Sequence, residues 1–258
     1  MMPLVSIIMP AYNAEKYIVG AILSIQNQTL TNWELIIVDD VSVDNTVATI
    51  KDAFAKDTRI ILHQLDQNSG TGVARNYALQ KARGKYIAFL DADDLWRKDK
   101  LQIQIEFMQT NNYPFCFSYY DLINADGLAI GKQIRAPYNL NFSKMFVANW
   151  IGNLTAIYDS EQVGKMTISA ARKRQDWTLW LKILKKVPYA NVVPESLAFY
   201  RVGNQSVSSS KITLLKHNYQ VYRNFHKLNI FVSIFCMLLF LMVHFFVKPF
   251  YVKKLPQM

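Results

Sequence analysis

The sequence predicts an α/β protein built on a mostly parallel sheet covered by helices on both faces. Three observations carry that prediction. Short apolar runs lack the alternation of a half-exposed strand, each is followed by a stretch of helical period, and Asp, Asn and Pro cluster where the strands end. Residues 5–9 read as the first strand and 14–28 as the first helix. Residues 35–38 and 45–55 repeat the pair, with Asp44 placed as the helix N-cap. Residues 60–62 and 71–83 form the third pair, and residues 86–90 and 98–110 the fourth. Beyond Asn112 the pattern loosens. A strand over 115–123 turns at Asn124-Ala125-Asp126-Gly127 into a returning strand over 128–135. A short strand follows over 154–158, then a helix over 177–186 with Asp176 at its N-cap and Val187-Pro188 at its end. Strands over 189–193 and 198–201 precede a basic helix over 211–228. The chain divides into one domain over 1–228, with halves 1–112 and 113–228, and an apolar segment with a basic tail over 229–258.

Composition narrows the class. With 51% hydrophobic and 19% charged residues the chain is neither disordered nor fibrous. Its two cysteines, Cys116 and Cys236, are too far apart in sequence to suggest a zinc site or a disulfide framework. The net charge of +10 is uneven: residues 1–100 hold 11 Lys+Arg against 12 Asp+Glu, and the remainder 18 against 7. A front half with clustered acids fits a cation site, and a basic back half fits anionic phosphates or an anionic membrane. The first nine residues lack the basic start and cleavage site of a signal peptide. Residues 230–247 carry no formal charge. As a helix they span about 27 Å, just short of a hydrocarbon core of about 30 Å. Such a helix crosses a bilayer, lies in its interface or packs on the body, and membrane association is the expectation.

The chemistry-bearing residues fall at the carboxyl ends of the strands, where open α/β sheets bind ligands. Pro10-Ala11-Tyr12-Asn13 follows the first strand, Asp39-Asp40 the second and Asp91-Ala92-Asp93-Asp94 the fourth. Five carboxylates on one edge repel one another unless a hard divalent cation joins them. Such an ion takes its remaining oxygens from phosphates, which points to a nucleotide diphosphate. Any single Asp there reads better as a helix cap or turn former, and it is the three clusters together that point to a site. Gly70-Thr71-Gly72 opens like a dinucleotide fingerprint but follows the third strand and has Arg75 where the third glycine belongs, so a Rossmann dehydrogenase is not expected. Arg75 near a helix start suits a phosphate or an Asp partner. No Walker A loop is present, and the four histidines form no nucleophilic constellation.

Together these stretches resemble family 2 glycosyltransferases of the GT-A fold, above all bacterial enzymes of capsule, teichuronic-acid and other surface-polysaccharide assembly. The resemblance covers roughly residues 4–227. It rests on Val5-Ser6-Ile7-Ile8-Met9-Pro10-Ala11-Tyr12-Asn13, Ile37-Val38-Asp39-Asp40-Val41-Ser42-Val43-Asp44-Asn45-Thr46, Asn68-Ser69-Gly70 with Ala74-Arg75-Asn76, and Phe89-Leu90-Asp91-Ala92-Asp93-Asp94-Leu95-Trp96. Arg174-Gln175-Asp176-Trp177, Tyr200-Arg201 and Ser206-Val207-Ser208 complete it.

The resemblance implies a nucleotide-sugar half over 1–112 and an acceptor half over 113–228. It implies a base pocket from Pro10, Tyr12, Asn13 and Asp40, and Mg²⁺ or Mn²⁺ on Asp93 and Asp94, with Asp91 in support and Arg75 orienting the acids. Asp176 is implied as catalytic base of an inverting transfer of a hexosyl or N-acetylhexosaminyl group. Gln175 stands where the family has Glu. Arg174 and Arg201, with Arg172 and Lys173, are expected near a diphosphate or a phosphorylated acceptor, and Trp177 near the acceptor sugar, while Trp180 reads as core. The implied partners are a nucleotide-diphosphate sugar, UDP-linked as is commonest in the family, a polyprenyl-diphosphate-linked glycan, and the cytoplasmic face of the bacterial inner membrane, with no nucleic acid. A catalytically silent membrane subunit of the same fold is the alternative, resting on Gln175. A sugar nucleotidyltransferase fits poorly without a glycine-rich loop after the first strand.

Overall fold

The computed structural model describes residues 2–169, 173–203 and 211–256. Its elements in chain order are β1 (Val5–Ala11), α1 (Ile18–Gln26), β2 (Trp33–Asp39), α2 (Thr46–Phe54), β3 (Ile60–Gln64), α3 (Thr71–Lys81), β4 (Tyr86–Phe89), β5 (Leu95–Trp96), α4 (Lys100–Asn111), β6 (Phe115–Ile123) and β7 (Ala129–Ile134). There follow α5 (Phe142–Val147), β8 (Ile157–Asp159), α6 (Ser160–Val163), α7 (Gln175–Ile183), β9 (Asn191–Arg201), α8 (Lys211–Gln220), α9 (Ile230–Met242) and β10 (Val252–Lys254).

The strands order as β10-β7-β6-β8-β4-β1-β2-β3, with β9 beside β6 and β5 beside β9. The β4-β1-β2-β3 portion is parallel, as the unbroken apolar runs require. β8, β7 and β10 pair antiparallel, so the sheet is mixed. All seven residues of β1 and all seven of β2 are buried. Alternate β1 residues feed two cores: Ile8 packs on one face with α3 and α7, and Val5, Ile7 and Met9 on the other with α1 and α4.

Three local departures from expectation shape the site. The two strands expected over 189–201 are one continuous strand, β9, parallel to β6 with register shifts near Tyr119. The two-residue β5 pairs Leu95 with Phe199 and Trp96 with Ala198, fastening the acidic loop to the back half. Finally, 229–258 is no appendage. Cys236 and Phe240 of α9 belong to the same core as Trp177 and Tyr222, and β10 pairs with β7. The boundary expected at residue 228 is therefore not a boundary in packing.

Residues Ile230–Tyr251 are long and apolar enough to cross a membrane by length and composition, with a mean hydropathy of 2.7. Only one side of α9 is covered. Phe231, Ile234, Phe235, Leu238 and Met242 are exposed, and so are Phe245, Phe246 and Phe250 beyond it.

Candidate active site

The loops after β1 and β2 are knitted together by short polar side chains. Asn13, in the left-handed region at φ 48°, accepts from Val43 N–H at 2.9 Å, and its own N–H donates to Ser42 Oγ at 2.9 Å. Ser42 N–H and Oγ both donate to Asp39, which is fully buried. Asp44 accepts from Thr46 N–H at 3.0 Å and Glu15 N–H at 3.1 Å, one residue outside the N-cap Asn45. Val41 at φ 63° is a β-branched residue in a backbone region that strongly disfavours it, held there by this net. Pro10 lies within β1, and Tyr12 is 51% exposed at the rim.

Asp40 is buried. Its two carboxylate oxygens accept Ser69 N–H at 2.7 Å and Gly70 N–H at 2.8 Å, and Asn68 donates to its carbonyl at 3.0 Å. It thereby seats the turn that starts α3. On α3, Arg75 donates to Asp91 at 2.6 Å and to Gln175 Oε1 at 3.0 Å, joining the acidic loop to the start of α7. Gly72 makes this possible: a Cβ there meets Gln175 Nε2 at 2.5 Å and the Ser169 carbonyl at 3.1 Å.

The five carboxylates do not all face a common opening. Asp39, Asp40 and Asp94 are consumed by hydroxyl and N–H donors, which offset buried negative charge as a cation would. Asp94, expected as a metal ligand, is 2% exposed and accepts Arg201 N–H at 2.9 Å. Burial first, then Asp93 and Asp91, raise its carboxyl well above the usual range. Asp91 and Asp93 remain open to solvent. The protein packed around Asp93 first, then the neighbouring Asp91, pushes its carboxyl up to about 6 although its edge stays exposed.

The back half meets this cleft through one short segment. Asn149 donates to Asp176 Oδ2 at 2.8 Å, and four residues later Asn153 donates to Asp91 Oδ1 at 3.1 Å. Gly152 lets the segment lie on Tyr120, since a Cβ there meets the ring at 2.9 Å. Burial raises the Tyr120 phenol, with Tyr200, Asp94 and Asp176 adding to the effect, so both acids are near it. Asp176 is not the N-cap: Arg174 holds that position at φ 63°, and Asp176 lies in the first turn, where a carboxylate complements the helix dipole.

Two expected contacts move elsewhere. Trp177 is fully buried, donates to the Met145 carbonyl at 2.6 Å and packs on Tyr222 and Phe240, so it is a core residue and cannot stack on an acceptor sugar. Arg201 grips protein: Nε donates to the Asp93 carbonyl at 2.7 Å, Nη1 to the Asn124 and Ala125 carbonyls at 3.1 and 3.0 Å, and the guanidinium lies over Tyr17. It positions the acidic loop. Arg174 stays by Asp176, half-buried, and burial lowers its pKa while Asp176 acts against that. Lys173 is half-buried beside it. Arg172 and Ser206-Val207-Ser208 lie outside the described residues.

Asn149, Asn153 and Lys248 were missed from sequence. No spacing marks them, because each acts through a partner distant in the chain.

A sequence profile described as "Glycosyl transferase family 2" matches residues 6–164. The chain is 42% identical over 234 residues to the putative teichuronic acid biosynthesis glycosyltransferase TuaG of Bacillus subtilis, covering 91% of this chain and 93% of that one. It is 38% identical over 226 residues to Escherichia coli WfgD, described as a UDP-Glc:alpha-D-GlcNAc-diphosphoundecaprenol beta-1,3-glucosyltransferase, covering 86% of each. Among solved structures, S. aureus TarS 1–349 in complex with UDP-GlcNAc superposes with a TM-score of 0.74 at 21% identity, over 95% of this chain and 74% of that one. The Pyrobaculum calidifontis mannosyltransferase PcManGT in complex with GDP-Man and Mn2+ gives 0.69 at 17% identity, over 97% and 72%. The structural likenesses establish a GT-A-type fold, and the matched profile and the relatives establish more: this chain belongs to glycosyl transferase family 2.

Proposed function

We propose that this enzyme transfers a hexosyl or N-acetylhexosaminyl group from a UDP-sugar to a lipid-linked glycan acceptor, with inversion, in bacterial surface-polysaccharide assembly. The observation that carries the reading is the 149–153 segment, which holds the candidate base Asp176 at one end and the open acid Asp91 at the other. Donor and acceptor functions then share one cleft. The relatives support the substrate classes: one is described by teichuronic acid biosynthesis and another by glucosyl transfer to a diphosphoundecaprenol-linked GlcNAc.

In this reading Pro10, Tyr12, Asn13 and Asp40 form the wall that receives the nucleotide base, with the exposed Tyr12 ring at its lip. Asp91 and Asp93 face the donor's diphosphate. Among the described residues no three acids, histidines or cysteines gather into a ligand cage. Two neighbouring open carboxylates nonetheless fit Mg²⁺ or Mn²⁺, which completes its shell with phosphate oxygens. Bound there, the ion would stabilise charge on the leaving diphosphate. Asp94 and Arg201 hold the acidic loop in place. Asp176 removes the proton of an acceptor hydroxyl, whose oxygen bonds to the anomeric carbon as the bond to the nucleotide diphosphate breaks. The exposed apolar side of α9 rests in the membrane interface on the cytoplasmic side, where the nucleotide sugar is available. A crossing helix would separate β10 from its partner β7, which argues for lying over spanning.

The test uses the full chain with UDP-glucose and UDP-GlcNAc, with and without Mn²⁺, and a GlcNAc-diphospholipid acceptor. Metal-dependent release of UDP and transfer of the sugar are expected. Asp93→Ala should remove the metal dependence together with the activity, and Asp176→Asn should lose transfer while still binding donor. Near-normal transfer by Asp176→Asn would overturn the base assignment.

A further inference from the structure

The end of the apolar helical segment enters the cleft. Lys248 Nζ donates to the Asn149 carbonyl, the same residue whose amide holds Asp176, and it lies 5.3 Å from the centre of the Trp150 ring. Tyr251 packs on the other part of that indole, with ring centroids 5.0 Å apart. Burial lowers Lys248's hold on its proton, with Arg174 adding to this and Asp176 opposing it, so the three groups lie near one another. Among the described residues neither cation has an ion pair, and Arg174 Nε is buried without a hydrogen-bond partner. Two cations facing one another beside a lone carboxylate carry excess positive charge into a partly dry recess. That costs free energy unless a dianionic group arrives.

The same segment exposes Phe245, Phe246 and Phe250 on its outer side. A lipid whose chain lies in the bilayer thus brings its headgroup up beside Lys248. We propose that Lys248 and Arg174 form the binding site for the diphosphate of the lipid-linked acceptor, placing the sugar directly attached to that diphosphate at Asp176. This rests on the glycosyl-transfer reading above and deepens it. Because the carbonyl and amide of the single residue Asn149 hold Lys248 and Asp176, the sugar presented to the base is the one attached to that diphosphate, and the substrate class is a monoglycosyl diphospholipid. Lys248 presents a mobile point charge and Arg174 a planar fork, a pair suited to two adjoining phosphates.

The experiment compares two acceptors: GlcNAc α-linked to a diphosphate bearing a medium-length alkyl chain, and the same sugar and chain without phosphate. Wild-type enzyme should prefer the diphosphate acceptor in kcat/KM. Lys248→Gln should cut that preference about ten- to a hundredfold through KM, Arg174→Gln should do the same, and Lys248→Arg should restore much of it. Thermal unfolding of each variant checks that it is folded. Equal loss on both acceptors would overturn the proposal and leave Lys248 as a residue that positions Asp176 through Asn149. A wild type that uses the two acceptors equally well would also overturn it while leaving the glycosyl-transfer reading intact. Transfer to neither acceptor, with no UDP release, would defeat both.

Discussion

The donor and acceptor sides of the cleft are built on different principles. On the donor side the acids sit within a few residues of a strand end, and the parallel sheet aligns those ends, with Arg75 and Arg201 holding the acidic loop. Asp40, Asp91 and Asp93 follow β2 and β4, whose neighbour in the sheet is β1. On the acceptor side the groups come from distant stretches: Asn149, Asp176 and Lys248. They are held by hydrogen bonds that reach 27 to 99 residues along the chain. A site built on strand ends tolerates change around it, whereas one assembled by reach is exposed to any shift in its supports.

That contrast can be broken or sharpened by substitution. The largest effect is expected for Asp176→Asn, which should lower transfer by about a hundredfold to ten-thousandfold while the donor KM stays in place. Steady-state kinetics on both substrates will show it, and a matching loss of donor affinity would erase the division between the two sides. Next, Asn149→Ala removes the donor that orients Asp176. A drop of about tenfold in kcat is expected, read by steady-state kinetics with the donor KM unchanged. Gly72→Ala should cost about 1–3 kcal/mol of stability, read by urea unfolding, because the new methyl displaces Gln175 or the Ser169 carbonyl. Its effect on transfer should exceed its effect on donor binding, since α3 touches the acceptor side there.

The smallest effect tests the donor side's indifference to its surroundings. Lys100 is fully buried, lies 4.1 Å over the Trp96 ring and has no hydrogen-bond partner for Nζ among the described residues. Burial pushes its ammonium down to about 7 from 10.5. Between those values the unfolded chain binds the proton and the folded chain does not, so stability rises with pH across that window. Lys100→Met should raise the unfolding temperature by a few degrees at neutral pH and flatten that rise, with donor KM unchanged.

The same contrast explains what the sequence disclosed. The alternating strand–helix pattern, the parallel sheet and the strand-end acids were legible because local periodicity and turn chemistry encode them. The residues left Arg75 to a phosphate or an Asp, and its place among the acids came from the family resemblance. What failed was every inference that needed a partner far along the chain. Asp94 looks like Asp91 and Asp93 in sequence, and only the arrival of Arg201 from β9 turns it inward. Trp177 looks like a sugar platform until Phe240 of α9 covers it. Asp176 was placed two positions wrongly on its helix because Arg174, in a left-handed conformation, ends the incoming loop there. Lys248 was counted among the charges flanking an apolar run, with nothing in its neighbours to suggest a cleft.

The reach from Lys248 to Asn149 also sets an order of events during synthesis. At about 5–20 residues per second, a ribosome that has released Asn149 needs roughly 5–20 s to deliver Lys248, 99 residues later. The strand-end half has its whole sheet by then and folds in far less time. During that interval the nascent protein carries the formed parallel strands and an acceptor side without its last cation, and the segment that supplies it is also the one with an exposed apolar face. The last cation of this side of the cleft and an exposed apolar face are thus written into the same stretch of chain.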